Sequence, residues 1–136
     1  MLPLQHERLW RVLSVCILVV VLIGTMIPSI WIDSKVQALL WFENTDKWIH
    51  GITFLILSVW FTGLTARSAY LKVIVGLTLF GFVVELCQLF ISYRTADWID
   101  IAANTIGIIA GIAVALTGLG GWGLRVESWY SRRSGH

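Results

Sequence analysis

The sequence predicts an all-α, polytopic membrane protein: a bundle of four transmembrane helices with both termini cytoplasmic. Composition, the spacing of apolar runs and the placement of basic residues carry that reading. Of 136 residues, 57% are hydrophobic and 13% charged, against about 25% charged in ordinary soluble domains. Four apolar runs, at about 12–32, 48–66, 71–91 and 98–119, each approach the ~20 residues a helix needs to cross a hydrocarbon core. The short connections leave room for one membrane domain over residues 1–136 and no aqueous module.

The first run follows Arg8 and Arg11 and carries no charge. It exceeds the ~7–15 residues of a signal-peptide core, and no A-x-A-like cleavage site follows, so it reads as a retained span. Pro28 is tolerable in its last turn. Residues 36–42 in the first loop are apolar but too few to cross, and suit a segment lying flat at the interface. The second run opens at Trp48 and holds His50, the third holds Glu85 and Gln88, and the fourth holds Asp100 and Asn104. Beyond it, Gly118 to Trp122 is glycine-rich and then basic, which predicts a loose cytoplasmic end. Cys16 and Cys87 fall inside spans and read as small buried apolar residues rather than a disulfide or metal pair.

Orientation follows from Lys and Arg, because acidic residues contribute little to topology. Arg8, Arg11, Arg67, Lys72, Arg125, Arg132 and Arg133 fall on one side, and Lys35, Lys47 and Arg94 on the other. The richer side is expected to be cytoplasmic. Tryptophan favours interfaces, where the ring is apolar and its N–H is wet. Trp10 and Trp122 are then expected at the inner interface, and Trp31, Trp48 and Trp98 at the outer one. Trp60, mid-to-inner in the second span, is expected to be packed or lipid-facing. No basic face with interleaved aromatics exists, so a nucleic-acid partner is not expected.

On this topology the polar residues of the spans gather at the outer end. Asp46 and His50 are four apart, and so share a helix face. Thr78, Gly81, Glu85 and Gln88 form one stripe on the third span; Asp97, Asp100, Asn104, Gly107 and Gly111 form another on the fourth. Polar groups in hydrocarbon face a bundle interior or a wet cavity, and small residues mark close helix approach. The second, third and fourth spans are therefore expected to enclose an outward-opening polar pocket, packed through Gly81, Gly107 and Gly111. Glu85 lies roughly 9–12 Å below the outer boundary at 1.5 Å per residue, where an ionised carboxylate costs several kcal/mol unless paired or wetted. It is either a working group or an interhelical tie. His50 is a general base oriented by Asp46 or an interfacial helix-end histidine. Asp46 is alternatively a helix N-cap, and Asp97 complements a helix dipole. Arg94 offers a fork of donors to the carboxylates or to an anionic ligand.

Asp46-Lys47-x-x-His50, Glu85-x-x-Gln88 and Arg94-x5-Asp100-x3-Asn104-x2-Gly107-x3-Gly111, in order on three successive spans, resemble the VanZ-like family of bacterial membrane proteins. The resemblance covers about half the chain. It departs at Gly51, where an aromatic is expected, and at Ser92-Tyr93, where Pro-Gly often precedes the arginine. The family is named for a glycopeptide-resistance accessory protein associated with reduced susceptibility to teicoplanin. The resemblance implies a multi-pass protein of the bacterial cytoplasmic (inner) membrane, with a shared site at Asp46, Lys47, His50, Glu85, Gln88, Arg94, Asp100 and Asn104.

Three functions remain open. One is a cell-envelope protein whose pocket binds, or modulates access to, a lipid-linked envelope precursor or a glycopeptide-type antibiotic. Another is a structural or assembly subunit of a larger membrane complex. The third is an intramembrane enzyme on a lipid-linked substrate, with His50 and Asp46 as base, Glu85 as acid or nucleophile, and Asp100 with Asn104 positioning. No HExxH or GxSxG signature supports catalysis. Asp46, His50, Glu85 and Asp100 holding a divalent metal is a variant of the enzyme reading; otherwise no metal and no cofactor is expected. The expected partners are membrane lipids, a lipid-linked precursor or a membrane protein.

Overall fold

The computed structural model describes residues 2–26, 45–91 and 98–134. Among the described residues are five α-helices and no strand: α1 (Glu7–Met26), α2 (Thr45–Leu64), α3 (Tyr70–Ile91), α4 (Trp98–Val114) and α5 (Trp122–Ser134). A 3-10 turn, Arg67–Ala69, leads into α3, and a π-helical segment, Ala115–Leu119, extends α4. The stretches Glu7–Thr25, Lys47–Leu64, Arg67–Phe90 and Trp98–Leu119 are each long and apolar enough to cross a membrane. These are the four expected spans, shifted by a few residues. The largest shift is at α1, which begins ahead of residue 12. Glu7 sits in its first turn, where negative charge complements the dipole, and pairs with Arg11 one turn on.

Helices α2 and α4 make the closest pair in the bundle. In lipid no hydrophobic force draws helices together, so contact depends on close packing and interhelical hydrogen bonds. Gly107 lies on the backbone of Gly51. A Cβ at Gly111 would stand 2.7 Å from the Leu55 carbonyl oxygen and 2.8 Å from Ser58 Oγ. Beside these glycines the Ser58 hydroxyl donates to the Ile108 carbonyl oxygen at 3.0 Å. Helix α3 completes the core, with Val73 and Leu77 against Phe54, Leu57 and Ile108. Helix α1 flanks the bundle through Ile17, Leu18 and Val21, and leaves Val12, Val15, Val19, Val20 and Ile23 exposed to the surroundings that lipid would fill. Cys16 shares that outward face and Cys87 is half-buried; both thiols are free. The expectation of two buried cysteines fails for Cys16, because α1 buries only a narrow stripe.

The loose tail expected after Gly118 is instead a turn followed by a helix. Gly118 (φ 137) and Gly121 (φ 71) adopt left-handed backbone conformations that side chains disfavour, so the chain breaks there and re-forms as α5. The Trp122 indole fills the space a side chain at Gly63 would need and donates to the Val59 carbonyl oxygen at 3.2 Å. Trp10, Trp60 and Trp122 pack with ring centroids 5.2–6.0 Å apart. Trp60 also donates to Ser14 Oγ at 3.0 Å, so of its two expected surroundings it takes the packed one. Around them Glu127, 8% exposed, accepts hydrogen bonds from the Gln5 N–H (2.7 Å), the His6 N–H (3.0 Å) and the Trp10 indole (2.9 Å). Burial alone would raise this carboxyl; those donors, with the His6 imidazole at 3.5 Å, hold its pKa below the ordinary value. Both terminal segments are thereby fastened together at one end of the bundle, opposite its polar end.

Candidate functional site at the polar end of the bundle

Register places the site. His50 is five residues into α2, Asn104 six into α4, and Glu85 six from the end of α3. At 1.5 Å per residue all three lie about 8–9 Å below their helix ends, in one layer. The layer is buried: His50, Glu85, Gln88, Asp100 and Asn104 are each no more than 6% exposed. Buried polar side chains of this kind are retained in spans only where they face one another or a site.

Their contacts run between helices. His50 Nδ1 stands 3.1 Å from Asn104 Oδ1, and with its proton on Nδ1 the ring donates to that carbonyl. The same nitrogen is 3.9 Å from Glu85 Oε1, an ion pair when the imidazole is charged. Lys47, one turn before His50 and partly exposed, brings its ammonium to 3.9 Å from Asp100 Oδ1. Gln88 reaches the other way: its Nε2 donates to the Thr25 carbonyl oxygen at 3.2 Å. Thr25 lies in the last described turn of α1 (Glu7–Met26). The site therefore touches all four spans.

Local packing makes the layer possible. Gly81 leaves room for the Asn104 amide, whose Nδ2 would lie 3.2 Å from a Cβ there, and for the Phe54 ring at 3.3 Å. One turn below Asn104, Gly107 lets α4 settle on α2 and so carries Asn104 to His50. All three packing glycines singled out in the sequence are buried.

Of the eight expected site residues, the structure brings five together, Lys47, His50, Glu85, Asp100 and Asn104, while Gln88 is buried nearby on α3 but bonds to α1 instead. Asp46 lies in the first turn of α2, but its side chain is outside the described residues, as are Arg94, Asp97 and the segment 36–42. Sequence reasoning did not find Thr25, which takes part through its backbone and so leaves no mark in residue type. It also passed over Glu127, whose one signal was an acid inside a basic tail.

A family model described as VanZ/LLP1 matches residues 5–119. The chain belongs to the VanZ/LLP1 family. No curated protein and no solved structure matches it. The VanZ/LLP1 match runs from just before α1 to the end of the π-helical segment, covering all four spans and every described residue of the polar layer. Helix α5 and Glu127 lie beyond it. This is a VanZ-like protein with four helices long and apolar enough to cross a membrane, and its polar layer lies within the family's own region.

Proposed function

We propose that this VanZ-like protein is a multi-pass protein of the bacterial cytoplasmic membrane. Its polar layer is a pocket opening to the outer face, and it binds the anionic head group of a lipid-linked envelope precursor. The observation that carries the reading is the meeting of His50, Glu85, Asp100 and Asn104 from three helices in one buried layer, with Lys47 at its rim. Such a layer is costly in hydrocarbon unless its members pair with one another or serve a site. The outward orientation is supported by the distribution of Lys and Arg, seven of which lie toward the end where Glu127 fastens the termini. Lys47, and Arg94, which lies in sequence between α3 and α4, are the cations that would meet a phosphate or carboxylate. A pocket on that face would act where glycopeptide antibiotics meet their targets, which agrees with the property that gave the family its name.

A second reading is favoured by the Gln88–Thr25 and Ser58–Ile108 hydrogen bonds, which tie helices without facing a ligand. Here the polar layer is internal glue in a subunit of a larger assembly. Glu85→Gln and Arg94→Ala variants, scored in the same cells for membrane level, thermal stability and glycopeptide susceptibility, separate the two. A working pocket predicts a lost phenotype with protein level and stability near wild type. Unchanged susceptibility in both variants, at normal levels, would refute the pocket. A large fall in stability with either would favour glue.

A further inference from the structure

The same layer has the donor set of a cation site. His50, Glu85 and Asp100 each offer a ligand atom, and the three atoms lie within 4.8 Å of one another. Bonds of about 2.0–2.2 Å to a first-row divalent metal keep neighbouring ligands roughly 3–3.6 Å apart, so side-chain adjustments of about 1 Å bring these three into range. The donors come from α2, α3 and α4, so the helix packing already described sets their spacing.

Two further observations point to a ligand here. Asp100 is 4% exposed, and its Oδ1 accepts no hydrogen bond; among the described residues the Lys47 ammonium pairs with it at 3.9 Å, beyond hydrogen-bond reach. A buried carboxylate oxygen in that state is expensive, and coordination would satisfy it. Asn104 Oδ1, 3.1 Å from His50 Nδ1, adds a hard carbonyl oxygen at the separation two adjacent ligands keep. A divalent ion neutralises the two carboxylates and takes over at Asp100 the role of the partly exposed Lys47 ammonium.

We propose that His50, Glu85 and Asp100 bind one first-row divalent transition-metal ion, with Asn104 Oδ1 as a fourth ligand. The imidazole selects such ions over Mg²⁺ or Ca²⁺, which prefer oxygen alone. Loading moves the His50 proton from Nδ1 to Nε2 and exchanges the His50–Asn104 hydrogen bond for two metal bonds. Lys47 competes for Asp100 and swings toward the rim. The site rests on the pocket reading above and adds to it a reason why a pocket walled by two carboxylates accepts an anion: the ion supplies positive charge at its floor.

The test uses the full chain in detergent, stripped with a chelator and titrated with Mn²⁺, with binding followed by the loss of the free-ion electron paramagnetic resonance signal. The expected result is one Mn²⁺ per chain, displaced by Zn²⁺ and not by a tenfold excess of Mg²⁺. His50→Ala and Asp100→Asn should each weaken binding at least tenfold, and Lys47→Ala should leave it equal or tighter. Pulsed resonance on wild-type protein should show coupling of Mn²⁺ to one imidazole nitrogen, a readout independent of whether variants fold. Binding below 0.2 equivalents, or bound Mn²⁺ without nitrogen coupling, would overturn the proposal. If Glu85→Gln still removes the envelope phenotype while wild type binds no metal, the cation site fails and the pocket stands.

Discussion

At the residue scale, Asn104 holds the polar layer together. Its Oδ1 faces His50, its Nδ2 lies over Gly81, and it is 3% exposed. Replacing it with alanine leaves the buried imidazole nitrogen without its hydrogen-bond partner. A group stranded in this way costs about 1–3 kcal/mol. Asn104→Ala is therefore expected to lower stability by that amount, measured by thermal unfolding in detergent. Thr105, on the exposed side of the same helix with its hydroxyl bonded to the Ile101 carbonyl, gives the comparison: Thr105→Ala should change stability by less than about 0.5 kcal/mol.

At the element scale, the contact of α2 with α4 decides how the spans assemble. A methyl at Gly111 would stand 2.5 Å from Ser58 Cβ, which forces backbone or side-chain movement, whereas one at Gly24 meets nothing within 4 Å. Overpacking of this kind costs about 1–3 kcal/mol. Gly111→Ala should destabilise by that amount, while Gly24→Ala should be neutral or slightly stabilising through helix propensity. Thermal unfolding of the two variants side by side checks both. The Gly107 and Gly111 contact was legible in the sequence because small residues recurring every four positions form one face of a helix. His50, Glu85, Asp100 and Asn104 were legible for a related reason, since polar residues stand out in apolar runs and their spacing gives their face. The seat of Trp122 on Gly63 was not. It joins residues far apart in sequence, and spacing within one helix says nothing about which distant side chain fills the gap a glycine leaves. Helix α5 was missed because glycine-rich sequence reads as loose, when here two glycines only turn the chain before a helix packs back on α2.

At the scale of the whole molecule, the two ends of the bundle are held differently. The polar end is tied through buried side chains of the spans. The opposite end is held by Glu127, which grips the backbone of Gln5 and His6 and the Trp10 indole. Because the folded carboxyl titrates below its ordinary value, its contribution is fully present above about pH 4.5 and is lost as the pH falls through the folded value. Glu127→Gln should therefore lower stability by about 1–3 kcal/mol at pH 7, and the gap from wild type should narrow in acid. Thermal unfolding at pH 7 and below pH 4 measures both. The placement of this clasp also orders biogenesis. Gln5 and His6 leave the ribosome before any span, and Glu127 leaves after all four have been made. Until it arrives, the described part of α1 is held beside its neighbours by a narrow packed stripe and by the hydrogen bonds from Trp60 to Ser14 and from Gln88 to Thr25. The first span thus waits in the bilayer as a lightly held guest, and synthesis of the tail is the event that fastens it.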